Sequence, residues 1–458
     1  MKNYDAIIIG TGQAGPSLAA HLATEGMQVA IIERKLFHGT CVNTGCIPTK
    51  TMIASARVAH MARRADEFGV QLNGPVQVDM KKIKERKDDI VGRTNHEIPE
   101  WMKDIDKLTV YKGHAQLADA RTVIVNDEHL TAERIFVNVG GRAAVPDIPG
   151  LKDVPYLTNS DMMELNTVPE HLIIIGGSYI GLEFGQMFRR FGSQVTIIEM
   201  GDRLIHRDDP DVSQAVKDIL ENEGINIRLN AECIGFDNKN GHINVTVDCQ
   251  GGALQVSGSH LLLAVGRVPN THDLGLDNAG VATNERGFIQ VDEQLRTNVQ
   301  GIWALGDCNG QGAFTHTSYN DYEIVAANLF DNDPRKVSDR ILAYALYIDP
   351  PLGRIGMTET QARQSGKNVL MGRYDMSRVG RAREKGETQG FMKILIDADT
   401  KRILGAAILG VGGDEVIHSI LDIMYADQPY TVIQQAVHIH PTVSELIPTM
   451  LDNLQPLK

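Results

Sequence analysis

At 458 residues the chain is too long for one ordinary domain, and about three are expected. Hydrophobic residues at 42% and charged residues at 22% fit a globular protein with a sizeable core, while a net charge of -13 argues against a nucleic-acid partner. No apolar run reaches the roughly 18 residues of a membrane span, no polybasic block suits a membrane surface, and Met1–Asp5 leaves no room for a signal peptide before the first strand, so a cytoplasmic location is expected.

Residues 4–33 read as a βαβ unit. Ala6-Ile7-Ile8-Ile9 is a buried strand, Gly10-Thr11-Gly12-Gln13-Ala14-Gly15 is a tight turn, and a helix follows to about Gly26. The next strand, 28–32, ends in Glu33, with Arg34 behind it. Glycines placed between a strand and a helix let the backbone approach a pyrophosphate at the helix N-terminus, and Glu33 can accept hydrogen bonds from a ribose.

Gly39-Thr40-Cys41-Val42-Asn43-Thr44-Gly45-Cys46-Ile47-Pro48-Thr49-Lys50 comes next. Cys41 is expected on a loop and Cys46 at or near a helix N-terminus, where free N–H groups and the helix dipole favour a thiolate. A disulfide closing so small a loop would stabilise little, so the pair points to redox chemistry. Cys233, Cys249 and Cys308 are scattered and read as buried or incidental; five cysteines make no secreted disulfide scaffold.

From about 50 to 100 the pattern is helical and polar, and the charge run Lys81–Asp89 reads as a solvated helix face. Short strands are expected at 108–111, 122–125 and 134–137. A second βαβ unit begins at Leu172–Ile175 and turns through Gly176, Gly177, Ser178, Tyr179, Ile180 and Gly181; its second strand, 194–198, ends at Glu199. Ser178 at the middle position still allows a fairly close backbone approach. A carboxylate at Glu199 suits the free 2′-hydroxyl of NADH, whereas Arg203 and Arg207 close behind would serve the 2′-phosphate of NADPH; NADH is favoured.

A further buried strand, 301–307, ends in Asp307. From about 340 a last domain is expected, with antiparallel strands at 390–396 and 403–410 and one helix from Asp414 to about Ala426. The loop Arg378–Arg383 reads as a solvated basic cluster. Near the C-terminus stands His438-Ile439-His440-Pro441-Thr442-Val443-Ser444-Glu445. An imidazole near neutrality suits proton exchange with thiols, and a carboxylate partner can fix its tautomer.

The stretch around Cys41 and Cys46 resembles the redox-active disulfide of the pyridine nucleotide–disulfide oxidoreductases, the family of dihydrolipoamide dehydrogenase, glutathione reductase and mercuric reductase, and the resemblance runs through most of the chain. It implies an α/β fold of two Rossmann-like dinucleotide-binding domains plus a C-terminal α+β dimerisation domain. The implied divisions are an FAD-binding domain over 1–150 carrying the cysteine pair, an NAD(P)-binding domain over 151–270, a central segment over 271–340 completing the FAD site, and the dimerisation domain over 341–458.

The resemblance also implies site roles. FAD would be held by Gly10, Gly12, Gln13, Ala14 and Gly15, by Glu33, Arg34, Thr40, Cys41 and Lys50, by Ala115 against the adenine, by Gly140 in the interdomain link, and by Asp307 on the ribityl chain. Val139 replaces the threonine usual in that link. Gly176, Gly177, Ser178, Tyr179, Ile180, Gly181, Glu199 and Gly266 would serve NADH or NADPH, with Tyr179 covering the nicotinamide pocket. Glu183 would pair with Lys50 beside the flavin, unless both are merely exposed helix residues.

Cys46 is the implied flavin-side sulfur and Cys41 the one that meets the substrate. His440, held by Glu445, would act across a homodimer, His438 being the less suited base. The expected function is FAD-dependent electron transfer between NAD(P)H and a small dithiol or disulfide through Cys41–Cys46. The alternative is an NAD(P)H-dependent reductase of a soft metal ion, mercuric-reductase-like or copper, although no delivery cysteines follow Cys308. A redox-responsive binding protein is a third reading. No resident metal, nucleic acid or membrane partner is expected. His38 stands where a second glycine usually precedes Gly39 and Thr40; it is either a plain loop residue or an imidazole near the outer sulfur. Thr315-His316-Thr317-Ser318-Tyr319 matches neither the lipoamide nor the glutathione branch well.

Overall fold

An apolar, β-branched run with no polar alternation must be covered on both faces, which a parallel sheet between helices supplies. Ala6–Ile9 is such a run. The computed structural model describes residues 1–239, 241–249 and 252–457, and in it Ala6–Ile9 is the middle strand of a five-stranded parallel sheet. The order is Ile302–Ala304, Arg134–Val137, Ala6–Ile9, Val29–Glu33, Leu108–Lys112. The helix Ala14–Thr24 closes one face through Ala14, Leu18, Ala19 and Leu22, all buried.

The same logic repeats further on. His171–Ile175 pairs in parallel with Gln194–Ile198 on one side and His260–Leu263 on the other, and Asn226–Arg228 forms the edge. The helix Tyr179–Phe191 covers this sheet with Leu182, Phe184, Phe188 and Phe191. A three-stranded antiparallel meander, Ala231–Lys239, His242–Cys249 and Gly252–Gly258, is inserted before the last parallel strand. The side chain of Cys249 lies outside the described residues; Cys308 is fully buried, and burial pushes its thiol up to about 12. The two chain crossings between the parallel sheets are zipped together, Gly141–Ala143 pairing antiparallel with Arg267–Pro269.

Between the strands Val29–Glu33 and Leu108–Lys112 lie two long helices, Cys46–Arg63 and Met80–Lys103. The charged residues of the run on the second are exposed except Lys84, which is half-buried, and Lys87, which is 3% exposed and pairs with Asp88 and Glu164. The expectation of a fully solvated face therefore fails outright at one residue. A buried ammonium is tolerated there because two carboxylates meet it.

The C-terminal part is a six-stranded antiparallel sheet, ordered Ala343–Leu346, Leu352–Gly356, Ile403–Leu409, Phe391–Asp397, Val369–Asp375, Gln455–Pro456. The helix expected over 414–426 forms as two, Gly413–Val416 and His418–Tyr425. They part at Ile417, whose side chain is buried against Gly353, a position where any Cβ would lie 2.9 Å from it. The basic stretch near 378–383 is two short helical turns rather than a loop, and its arginines are engaged locally: Arg381 with Glu384, Arg383 with the Ser377 carbonyl, Arg378 over the Tyr374 ring. No helix among the described residues is long and apolar enough to cross a membrane.

Candidate active site

A cleft of about 990 Å³ runs between the two parallel-sheet units. Its walls bring together Gly10, Gly12, Gln13, Glu33, Arg34, Thr40, Cys41, Cys46, Lys50, Ala115, Gly140, Tyr179, Ile180, Glu183 and Asp307. Ala14 and Gly15 are buried beneath the first turn. Gly176, Gly177, Ser178, Gly181, Glu199 and Gly266 do not line the cleft; of the second turn, Tyr179 and Ile180 do. His440 and Glu445 lie outside it as well.

Both glycine turns are built alike. Gly10 has φ +106° and a Cβ there would stand 2.3 Å from the Asn138 carbonyl; Gly176 has φ +111° and a Cβ would stand 2.4 Å from the Ala264 carbonyl. Only glycine permits either turn, so a backbone N–H cradle results in each case. Asn138, which the sequence did not single out, ties the first turn by donating to the Gly10 and Gly12 carbonyls at 3.4 and 3.2 Å. The acid ending each second strand folds back on its own turn. Glu33 accepts from Thr11 N at 3.0 Å, Thr11 Oγ1 at 2.7 Å and Lys35 N at 2.8 Å. Glu199 accepts from Gly177 N at 2.7 Å and Gly201 N at 2.8 Å. Each carboxylate keeps acceptor capacity for a ribose. Arg203 donates to the His206 carbonyl at 2.9 Å.

The cysteine segment departs from expectation at its first residue. Cys41 is not on a loop but inside a short helix, Gly39–Asn43, because Asn43 Nδ2 donates back to the Phe37 and Gly39 carbonyls at 2.7 and 2.8 Å and closes the turn. Cys46 opens the helix Cys46–Arg63. A Cβ at Gly45 would stand 2.8 Å from the Thr40 carbonyl, so the glycine lets the two helices approach. Cys46 Sγ lies 3.3 Å from Thr315 Oγ1. The hydrogen bond from the Cys41 thiol, then Thr315 and the Lys50 ammonium, outweigh burial and hold Cys46 down to about 6, while the same bond and burial push Cys41 well above the usual thiol range. His38 has φ +68° and its Nε2 lies 3.2 Å from the Thr94 carbonyl, which anchors the loop to the helix Met80–Lys103.

Lys50 follows Cys46 by one helical turn and so shares its face. Its Nζ meets Glu183 Oε2 at 2.7 Å and stands 4.4 Å from the Tyr347 ring centre, while Tyr347 N donates to Glu183 Oε1 at 3.0 Å. Glu183 is 7% exposed, so the two are a partly buried ion pair and not surface charges. Asp307 opens a short turn after the strand Ile302–Ala304; burial pushes its carboxyl up, against Arg267 at 3.6 Å. Arg267 Nε is buried with no hydrogen-bond partner. Arg34 pairs with Asp273 at 3.0 Å. The glycine cradle, the spare acceptors on Glu33 and the orphaned Arg267 Nε beside Asp307 fit an FAD, and the cleft is at the upper end of the usual size for a ligand site.

His440 Nδ1 lies 2.8 Å from Glu445 Oε2, with the imidazole 81% exposed. His438 bonds only the Ala436 carbonyl, at 3.2 Å.

The parallel glycine-turn units, the cysteine pair and the separate C-terminal sheet define a flavin- and nicotinamide-using disulfide oxidoreductase. The chain belongs to the pyridine nucleotide-disulphide oxidoreductase family, whose model matches residues 4–321, with the family's dimerisation domain matching residues 342–451. Members are FAD-dependent and use NAD(P)H. Among individual proteins, it is 36% identical over 453 residues to the probable pyridine nucleotide-disulfide oxidoreductase RclA of Escherichia coli K12, covering 97% of this chain and 98% of that one. It is 32% identical to a mercuric reductase of Staphylococcus aureus over 91% of this chain and 76% of that protein, and 31% identical to a dihydrolipoyl dehydrogenase of Thermus scotoductus over 97% and 96%. A solved structure described as the Cu(II) complex of the HOCl-induced flavoprotein disulfide reductase RclA of Escherichia coli superposes with a TM-score of 0.89, at 34% identity, over 98% of this chain and 99% of that one.

Proposed function

We propose that this chain is an NADH-driven disulfide reductase that works as a homodimer, with Cys41 and Cys46 as its cycling dithiol. The observation that carries the reading is Cys46, held at about 6 at a helix N-terminus, bonded to Thr315, one turn from the Lys50–Glu183 pair and in one cleft with the first glycine turn. FAD would be held by the Gly10–Gly15 turn, Glu33, Lys50 and Asp307, and when bound it supplies the two-electron relay between nicotinamide and dithiol. Glu199, fixed by Gly177 N and Gly201 N, supports NADH over NADPH because its charge opposes a 2′-phosphate.

With the pair reduced, Cys41 attacks one sulfur of the substrate disulfide, forming a mixed disulfide and expelling a thiolate. His440 of the partner subunit, oriented by Glu445, takes the Cys41 thiol proton as the sulfur attacks and hands it on to that expelled thiolate. The Cys46 thiolate then attacks Cys41, which reforms the Cys41–Cys46 bond and releases the second thiolate. In Cys41→Ala, disulfide turnover should fall by at least a thousandfold while NADH still bleaches the flavin in a stopped-flow trace; loss of bleaching too would contradict the assignment of Cys46 and Cys41.

One observation favours a second reading. Two sulfurs open to the cleft are soft ligands that suit copper or mercury, and the matched solved relative is described as a Cu(II) complex. Reduction of Cu(II) or Hg(II) by NADH that survives His440→Ala, alongside disulfide turnover that does not, would establish it beside the first.

A further inference from the structure

His316 has no part in the chemistry above, yet it lines the same cleft as both cysteines. It follows Thr315, the first residue of the helix Thr315–Ala326, whose Oγ1 lies 3.3 Å from Cys46 Sγ. Two helix starts therefore meet at this sulfur, since Cys46 opens the helix Cys46–Arg63. A hydroxyl this close can donate to a thiolate, and the worth of that bond depends on a separation that the helix start must hold. Helix ends fray unless something ties them down.

The tie comes from outside the helix. His316 Nε2 stands 2.7 Å from the carbonyl of Ala343, in the strand Ala343–Leu346 at one edge of the C-terminal sheet. A carbonyl only accepts, so Nε2 carries the proton, and the bond persists in both charge states of the ring. The ring also stacks on Phe314, 5.4 Å between centroids and 10° from parallel, and Phe314 stacks in turn on Tyr344 of the same strand at 5.7 Å and 11°. Phe314 N donates to Thr317 Oγ1 at 3.2 Å, and that hydroxyl donates to the Phe314 carbonyl at 2.7 Å, which closes the first turn. The residues on either side of Thr315 are thus held to one strand, and Thr315 is held between them. The groups that act most on Cys46 are Cys41, Thr315, Lys50 and Glu183, with Tyr347 also in range; Arg340 and His418 are the charged side chains in range of His316.

We propose that His316 is a positioning residue: by pinning the start of its helix to the strand Ala343–Leu346, it holds the Thr315 hydroxyl against the Cys46 sulfur. The dimerisation sheet thereby reaches the reactive sulfur through one imidazole and one hydroxyl. This brace rests on the assignment of Cys46 as the resident thiolate.

Thiolate absorbance of the reduced, FAD-loaded protein, followed against pH, tests this in the wild type, His316→Phe, His316→Gln, Thr315→Ala and the double variant His316→Phe/Thr315→Ala. Phenylalanine keeps the stack and loses the donor, whereas glutamine keeps a donor and carries no charge. The inflection should rise by about half to one pH unit in His316→Phe, the loss of part or all of one hydrogen bond to a charged sulfur. It should stay within about a quarter of a unit of the wild type in His316→Gln. The double variant should match Thr315→Ala alone, because His316 acts only through that hydroxyl. An unmoved inflection in His316→Phe, a His316→Gln shift as large as that of His316→Phe, or additive shifts in the double variant each overturn the brace alone. Should His316→Phe not fold, His316→Leu takes its place in every comparison. A wild-type titration without an inflection at about 6 overturns the Cys46 assignment, and the brace with it.

Discussion

Cys46 carries the most chemistry of any residue in the chain, and its acidity has named causes. The hydrogen bond from Cys41 comes first, then Thr315 and Lys50 against the cost of burial. With a value of about 6, Cys46 of the reduced pair is a thiolate above that pH and a thiol below it. Lys50→Met and Thr315→Ala each remove a group that favours the thiolate, so each should move the inflection in thiolate absorbance of the reduced protein upward, by about one pH unit for a lost charge or charge-assisted bond. A titration unmoved in both variants would mean that neither group senses Cys46. Glu199 is the matching case in the proposed nucleotide site. Glu199→Ala removes the charge that opposes a 2′-phosphate and should shrink the NADH-over-NADPH ratio of kcat/KM by about tenfold or more. The thiolate site was legible at this scale because a cysteine ahead of a helix is a local pattern. Thr315 was not, since 269 residues separate it from Cys46. Lys50 and Glu183, 133 apart, were joined only through the family resemblance.

Two elements of the same design sit differently against the cleft. The Gly10 turn lines it and Gly176 does not, yet each needs glycine for the same reason, a positive φ and a carbonyl within 2.4 Å of any Cβ. Gly10→Ala should cost about 2–4 kcal/mol from backbone strain and overlap together, and release FAD on gel filtration. Gly176→Ala should keep its FAD and lose NADH-driven bleaching. Equal FAD loss in both would contradict the division of labour between the turns. Strand–turn–helix units of this kind are read from sequence with confidence because the glycine spacing, the apolar strand and the terminal acid all sit within one short segment. The helix near residue 417 and the buried Lys87 were misread for the opposite reason: Gly353 and Glu164, which decide them, lie far away in the chain.

At the scale of the whole molecule, the dyad proposed to serve the cysteine pair stands exposed. The His440–Glu445 pair is well formed, but the imidazole is 81% exposed and does not line the cleft that holds Cys41. Val437 and Ile439 beside it are 100% and 82% exposed, an apolar edge around a catalytic-looking dyad. Covering that edge with a second copy would supply each cysteine pair with the other chain's histidine, and the matched dimerisation domain spans this region. The measurement that tests this most directly is complementation. Cys41→Ala and His440→Ala proteins are each expected to lack disulfide turnover. Co-expressed, they form mixed dimers in which one site combines an intact cysteine pair with an intact histidine from the other subunit. Random pairing then predicts recovery of about a quarter of wild-type turnover. No recovery, with mixed dimers isolated by two affinity tags, would mean that His440 serves its own chain or does not serve the dithiol, and would contradict the shared site.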